Sequence, residues 1–246
     1  MGMTQQAHER ERDQMPYPVR LYLMRVGEMP AYQIPIVCYL VQLNDGTNVL
    51  IDSGLPEVLP ADEKDFVNTR DVVTQLREID VRPEDINIVI STHYDIDHAG
   101  HHSDFTQARY VVQRSHHHDA ASNPRFAPLR SQWDQDPSRI LLVDGDVTLF
   151  DGLQLLLTSG HVPGHQSVLV QLPQTGLVLL PIDAVPFGGG FVRDAEFDLS
   201  APDAKETQAS LYKLLDIVDT HDIAMVVFGH DEAQWQVLKT LPEYYS

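Results

Sequence analysis

Four side chains able to bind a metal ion stand within six positions of the sequence, in the segment His93-Tyr94-Asp95-Ile96-Asp97-His98. The segment directly follows the apolar run 86–90, which is short enough to be a buried strand. Where a chain turns at a strand end, imidazole and carboxylate groups can converge on one point in a way that no single helix face allows. The alternative is a solvated polar turn that is merely rich in His and Asp. Further His and Asp sites downstream favour a metal site.

Three downstream candidates each follow an apolar run that is typical of a strand. They are His161 after 153–158, Asp183 after 177–182 and His230 after 223–228. Strand ends that meet at one edge of a sheet are the usual location of an α/β active site. The repeated placement predicts that these side chains converge with the 93–98 segment.

Other polar residues near these motifs have simpler interpretations. Asp52 ends the predicted strand 48–51, and a strand-end Asp followed by Ser-Gly more often bonds nearby backbone N–H groups than a metal. His101 and His102 are expected at the rim of the pocket or on the surface. The run 116–118 falls on a helix expected to be capped by Ser115, and consecutive helical residues point about 100° apart, so three of them cannot close on one ion.

Composition restricts the class of protein. The chain has 246 residues, 43% of them hydrophobic and 22% charged, which suits one globular α/β domain. Its formal charge of −19, without a basic stripe, argues against nucleic acid as a partner and fits a small-molecule substrate. The single cysteine, Cys38, excludes an internal disulfide and is expected to be a small buried hydrophobe. We find no segment of membrane-spanning length and no signal-peptide core, so a cytoplasmic protein is expected; a homodimer is left open.

The elements that must position the candidates form one predicted catalytic domain, residues 18–246, after a flexible lead-in at 1–17. Strands are predicted at 19–26, 36–43, 48–51, 86–90, 110–113, 147–150, 153–158, 168–172, 177–182 and 223–228. Helices are predicted at 66–79, from Ser115, at 201–220 and at 232–239. Residues 123–137 are expected to form a long loop or irregular helix pair beside the site, from which substrate contacts would come.

Taken together, these motifs resemble the metallo-β-lactamase superfamily, whose pattern is H-x-H-x-D-H followed by a distant His, Asp and His. Within it, the chain is most similar to the N-acyl-homoserine lactonase branch. The resemblance covers about residues 19 to 245 and is carried by the segments 51–54, 93–100, 160–167, 182–184 and 228–231. It implies a four-layer αββα sandwich with the metal site at one edge, between two sheets.

The resemblance also implies roles for individual residues. It assigns His93 and His161 to a first metal, Asp97, His98 and His230 to a second, and Asp183 to a bridge between the two. His165 matches a family position that supports the site and is not usually a ligand. The implied cofactor is a pair of divalent ions, zinc first, with manganese, cobalt or iron as alternatives.

The chain departs from the family pattern at two positions. Asp95 replaces the second histidine, which gives H-x-D-x-D-H. A carboxylate can bind the same metal, but it adds negative charge, makes the metal a weaker Lewis acid and shifts preference from zinc towards manganese or iron. If Asp95 does not reach the ion, a single metal would bind tightly. Pro186 stands where lactonases of this branch often have a tyrosine, so Tyr94, Pro186 and Phe187 are the candidates for substrate contact.

A centre of this kind would supply a metal-bound hydroxide as the nucleophile. Two cations about 3.5–4 Å apart would share a hydroxide that attacks a lactone or ester carbonyl, while one metal polarises the carbonyl oxygen. Asp97 would carry the proton to the leaving group, and with Asp183 it forms the predicted catalytic pair. A serine nucleophile is not favoured, because the sequence has no G-x-S-x-G motif.

The predicted function is therefore metal-dependent hydrolysis of a lactone, with an acyl-homoserine lactone as the leading substrate. Three alternatives remain open at this point. They are a hydrolase of another ester, an iron-dependent oxidoreductase of the persulfide dioxygenase or diiron type, and a member of the family that binds a ligand without catalysis.

Overall fold

The first two strands are apolar on both faces, and this pattern places them inside a layered structure. A computed structural model describes residues 16–61, 63–197, 200–201 and 203–246. In β1 (Pro18–Met29), Leu21 and Leu23 face one buried cluster, while Tyr22 and Met24 face another. Because successive strand residues point to opposite faces of a sheet, both faces of this sheet are covered.

The sheet that contains β1 is mixed. Its other strands are β2 (Ile34–Leu43), β3 (Asn48–Ile51), β4 (Val67–Asn68), β5 (Ile88–Ile90), β6 (Arg109–Gln113) and β7 (Ile140–Val143). In the described part of the chain, its order is β4-β1-β2-β3-β5-β6-β7, antiparallel from β4 to β3 and parallel from β3 to β7.

A second sheet packs against the first. It consists of β8 (Val147–Phe150), β9 (Leu153–Leu157), β10 (Gln166–Leu172), β11 (Gly176–Leu180) and β12 (Ile223–Val226). The strands lie in the order β12-β11-β10-β9-β8, and only the β11–β12 pair is parallel among the described strands of this sheet. Inward-facing residues of both sheets, such as Val41, Val49, Val168 and Val178, form one continuous core.

Helices flank the two sheets, and Trp235 of the last one reaches into the core between them. They are α1 (Val72–Arg77), α2 (Arg114–Ser122), α3 (Arg130–Trp133), α4 (Ala204–Thr220) and α5 (Glu232–Trp235). Leu211 and Leu214 of α4 pack on Leu169 and Leu179 of the second sheet. The predicted αββα sandwich is confirmed. Within the described ranges, we find no helix that is long and apolar enough to cross a membrane.

Short 3₁₀ segments make several of the connections between these elements. They are Pro30–Tyr32, Pro83–Asp85, His102–Asp104, Pro124–Leu129, Pro137–Arg139, Ile182–Ala184 and Gly188–Gly190. Cys38 is fully buried in β2, as expected. The predicted lead-in at 1–17 lies almost entirely outside the described residues.

Three predicted helix boundaries are wrong. The helix expected at 66–79 begins only at Val72, because Asp71 caps it by accepting the Thr74 N–H at 2.8 Å, while Val67–Asn68 pairs with β1. Ser115 is not a cap, since α2 follows β6 directly and begins at Arg114. The closing helix ends at Trp235 instead of Lys239.

Candidate metal centre

Six of the predicted ligands meet at one edge of the sandwich in two adjacent groups of three. The ligand atoms of one group, His93, His161 and Asp183, all lie within 4.8 Å of one another, as do those of the other, Asp97, His98 and His230. The segments that carry them follow β5, β9, β11 and β12, so the convergence of strand ends arises from the sheet topology.

Asp183 lies between the two groups. Its Oδ2 atom is 3.6 Å from His93 Nε2 and 3.4 Å from His161 Nε2, and also 3.5 Å from His98 Nε2. Its Oδ1 atom is 3.1 Å from His230 Nε2. One carboxylate therefore contacts donors of both groups, which is the geometry of a bridging ligand.

Asp95 lies beside the first group and contacts two of its donors. Its Oδ2 atom is 3.1 Å from His93 Nε2 and 2.9 Å from His161 Nε2. The group whose ligand atoms all lie within 4.8 Å of one another consists of His93, His161 and Asp183. Asp95 is therefore placed to add a donor beside these three.

Unpaired polar atoms point to the same conclusion. Among the described residues, His93 Nε2, His98 Nε2 and Asp183 Oδ1 are buried and form no well-aligned hydrogen bond, although His93 Nε2 lies 3.1 Å from Asp95 Oδ2 and Asp183 Oδ1 lies 3.1 Å from His230 Nε2. A buried polar atom without a hydrogen bond costs about 1–3 kcal/mol, and a bound cation would offset this cost. The residues present thus fit a metal centre.

Three of the ligand imidazoles are oriented by a hydrogen bond at Nδ1, the ring nitrogen that does not face the centre. His98 Nδ1 lies 2.8 Å from Asp52 Oδ2, His230 Nδ1 donates to the Pro35 carbonyl at 2.9 Å, and His93 Nδ1 lies 3.1 Å from Thr92 Oγ1. Such bonds fix the tautomer that leaves Nε2 free to bind a metal. Asp52 also accepts the Thr92 N–H at 2.8 Å, so the predicted backbone bond exists, although its partner lies in the loop after β5.

Electrostatics within the centre favour a cation. Burial would lower the pKa of His230, but the carboxylates of Asp183 and Asp97 raise it to about 9. Burial likewise opposes a charge on His98, yet Asp97 and Asp183 raise its pKa well above the usual value. Burial acts to raise the pKa of Asp183, but His230 and His98 hold it well below its ordinary value. Protons on the imidazoles offset the carboxylate charge here, and divalent ions would do the same.

Two further histidines support the site without offering a free nitrogen. His116 Nε2 accepts the Tyr94 N–H at 2.9 Å and its Nδ1 donates to the Pro163 carbonyl at 3.0 Å. His165 Nε2 accepts the Asp183 N–H at 3.2 Å. Burial lowers the pKa of His116 to about 4 and that of His165 to about 3, so both rings are neutral at pH 7.

The expectation for His102 is wrong, because this residue is fully buried, whereas His101 lines a surface cavity with Asp71 and Asp104. The His102 ring lies between two hydroxyls, with Ser53 Oγ 2.7 Å from Nδ1 and Ser91 Oγ 2.7 Å from Nε2. Burial lowers its pKa to about 3. His102 therefore ties the loop after β3 to the loop after β5 instead of lining the pocket.

The residues proposed to contact a substrate have different surroundings. Tyr94 is buried, its ring stacks on Trp133 at 4.9 Å and its hydroxyl lies 3.1 Å from His117 Nδ1, so that hydroxyl is engaged away from the two groups. Pro186 accepts the His230 N–H through its carbonyl. Phe187 is exposed, and its ring lies 6.3 Å from that of His230.

One residue was missed by reasoning from the sequence. Arg125, in the irregular segment after α2, forms a two-pronged ion pair with Asp95, with Nε 2.6 Å from Oδ1 and Nη2 2.5 Å from Oδ2. The segment was expected beside the site, but no spacing rule connects side chains that stand thirty positions apart.

The fold and the donor set define an enzyme of the metallo-hydrolase type that binds divalent metal. The chain belongs to the metallo-beta-lactamase superfamily, whose family model matches residues 31–230. It is 31% identical to an N-acyl homoserine lactonase of Bacillus cereus, across 86% of this chain and 87% of that protein. It is 28% identical to the N-acyl homoserine lactonase AttM of Rhizobium radiobacter, across 93% and 99%.

A solved structure gives the same grouping. It is an N-acyl homoserine lactone hydrolase with the product N-hexanoyl-L-homoserine bound at its catalytic metal centre. Its TM-score to this chain is 0.80 at 26% identity, and the match covers 93% of this chain and all of the other. The chain is therefore a lactonase-like member of the superfamily.

Proposed function

We propose that the protein hydrolyses the lactone ring of N-acyl homoserine lactones. The observation that carries this proposal is the pair of donor groups that share Asp183 at the edge of the sandwich. The names of the relatives and the product bound in the similar hydrolase support the choice of substrate.

In this proposal each ion has its own donors. The first is held by His93, Asp95 and His161, the second by Asp97, His98 and His230, and Asp183 is shared between them. Divalent ions at these positions would lower the pKa of water towards neutrality and polarise the scissile carbonyl. Zinc is our first expectation, with manganese, cobalt or iron as alternatives.

The protein's own groups would orient the substrate and move protons. Asp97 belongs to the wall of a cavity of about 330 Å³ that also includes Asp95, Arg125, His161 and Asp183. Its Oδ2 atom lies 3.5 Å from His98 Nε2, so the carboxylate stands at the edge of the centre with access to the cavity. We assign it the transfer of a proton to the departing alkoxide of the opened ring.

A second, more apolar cavity suits an acyl chain. It measures about 250 Å³ and is lined by Ala184, which follows Asp183 in the chain, and among others by Val185, Phe187 and Phe197. Apolar walls with a few polar groups at one end are the usual form of a small-molecule site. We place the acyl chain here and the lactone ring towards Asp97.

The test is hydrolysis of a panel of N-acyl homoserine lactones of different chain lengths, with ring opening measured by proton release. The proposal expects turnover by the metal-loaded protein, its loss after chelation, and its return when metal is restored. Asp183→Asn should abolish measurable turnover while circular dichroism stays unchanged, because the shared carboxylate is lost. Turnover near that of the wild type in this variant, or no turnover of any lactone by the loaded protein, would contradict the proposal.

A further inference from the structure

The ion pair between Asp95 and Arg125 lies at the position where the chain departs from its family's motif. Asp95 is only partly exposed, with 13% of its side chain accessible, and both of its oxygens accept a bond from the guanidinium. Paired N–H donors in this fork geometry hold a carboxylate in one orientation. That orientation directs Asp95 Oδ2 towards His93 and His161.

The ion pair between Asp95 and Arg125 sets the net charge of the centre. Asp95, Asp97 and Asp183 bring three negative charges to the centre, where a histidine in place of Asp95 would leave two. An extra carboxylate would make a bound metal a weaker Lewis acid and its water less acidic. The guanidinium of Arg125 cancels one charge, so the carboxylates and Arg125 together carry the net charge that two carboxylates and a neutral histidine would carry.

We propose that Arg125 is a positioning residue that makes Asp95 the equivalent of a neutral ligand at the first metal position. Asp95 and Arg125 then act as one unit, and Arg125 affects metal affinity only when residue 95 is an aspartate. This inference rests on the metal centre proposed above and not on the identity of the substrate.

Arg125 also contacts one of the proposed ligands. Arg125 Nη2 also lies 3.2 Å from His161 Nε2, a nitrogen that would bind the first ion. A lone pair cannot accept the N–H and bind a metal at once, so this contact must break on metal binding while the bond to Asp95 remains. If the guanidinium instead took the place of the first ion, its removal would strengthen metal binding.

The experiment is a titration of metal-free protein with Co²⁺, followed by the visible absorption of the bound ion. The variants are Arg125→Gln, Asp95→His and the double variant. We expect R125Q to bind one of two ions about 10–100-fold more weakly, which is the usual effect of losing a partner of a ligand, and the other ion unchanged. In the D95H background, R125Q should cost nothing, and the double variant should bind both ions within about threefold of the wild type.

Arg114→Gln is the matched control. Arg114 is exposed to the same extent as Arg125, 45%, and pairs with Asp144, which is itself 69% exposed. R114Q should leave both affinities unchanged. Arg125→Lys, which keeps the charge but loses the fork, should lose less affinity than R125Q and serves as the reporter if R125Q fails to fold.

Two results would overturn the inference. The first is an R125Q protein that binds both ions as tightly as, or more tightly than, the wild type. The second is an equal loss from R125Q in the wild-type and D95H backgrounds, which would mean that Arg125 acts independently of Asp95. The readout contains no substrate, so it stands whether or not lactones are hydrolysed.

Discussion

Replacing Asp52 with asparagine should weaken metal binding by His98, although Asp52 is not itself a proposed ligand. The Asp52 side chain accepts the N–H and hydroxyl of Thr92 and lies 2.8 Å from His98 Nδ1. In D52N, the amide oxygen can still accept the Thr92 N–H, which leaves the NH₂ group facing His98. Because NH₂ is a donor, it favours the His98 tautomer whose proton is on Nε2, and a protonated Nε2 cannot bind a metal.

The magnitude follows from the loss of one orienting bond. Removing the partner of a metal-bound histidine typically costs 10–100-fold in affinity, or about 1.4–2.8 kcal/mol. The backbone should tolerate the change, because Asp52 has a φ of 60° and asparagine adopts this left-handed conformation readily. We therefore expect weaker binding of the ion at His98.

Isothermal titration of metal-free D52N with Zn²⁺ measures this directly. Asp104→Asn is the matched control, since Asp104 pairs with His101 at 2.7 Å and that histidine is not a proposed ligand. One weakened ion in D52N and none in D104N is the expected pattern. Two ions bound by D52N with wild-type affinity would refute the role assigned to Asp52.

Two further predictions concern stability. Neutral His102, with a pKa of about 3, should make the fold less stable as the pH falls from about 6.5 towards 3, because the unfolded chain takes up a proton that the folded one does not. At pH 5, His102 should lower the free energy of unfolding by about 2 kcal/mol relative to pH 8. In urea unfolding of His102→Asn, the difference in unfolding free energy between pH 8 and pH 5 should be smaller by that amount. The same difference as in the wild type would contradict this prediction. Gly100→Ala should lower the free energy of unfolding by about 1–3 kcal/mol or more, because the new Cβ would lie 2.1 Å from Pro56 N. Gly189→Ala should leave the melting temperature unchanged, because no described atom lies within 4 Å of the new Cβ.

The sequence predicts the general architecture because each ligand segment follows an apolar strand. Strand ends at one edge of a sandwich meet whatever the loops do, and the donor atoms of His93, Asp97, His161 and His230 meet as this rule expects. The helix boundaries are less predictable. Val67 has the spacing of a helix face, but pairing with β1 determines its conformation.

The environments of individual side chains depend on distant partners. His102 is expected at the pocket rim or on the surface, but Ser53, Ser91 and the stacked Tyr110 ring surround it in the folded chain. Arg125 could not be assigned for the same reason. A surface arginine and one that pairs with a candidate ligand have the same local sequence signal, and only the folded chain distinguishes Arg125 from Arg114.

The central claim is a two-ion centre that opens lactones. Its most direct test adds Zn²⁺ or Mn²⁺ stepwise to metal-free protein while hydrolysis of an N-acyl homoserine lactone is followed at each step. We predict no turnover without metal and a plateau at about two ions per chain. Full turnover of the metal-free protein would contradict the account, as would two bound ions with no hydrolysis. Activity that requires iron and consumes oxygen would favour the oxidoreductase alternative instead.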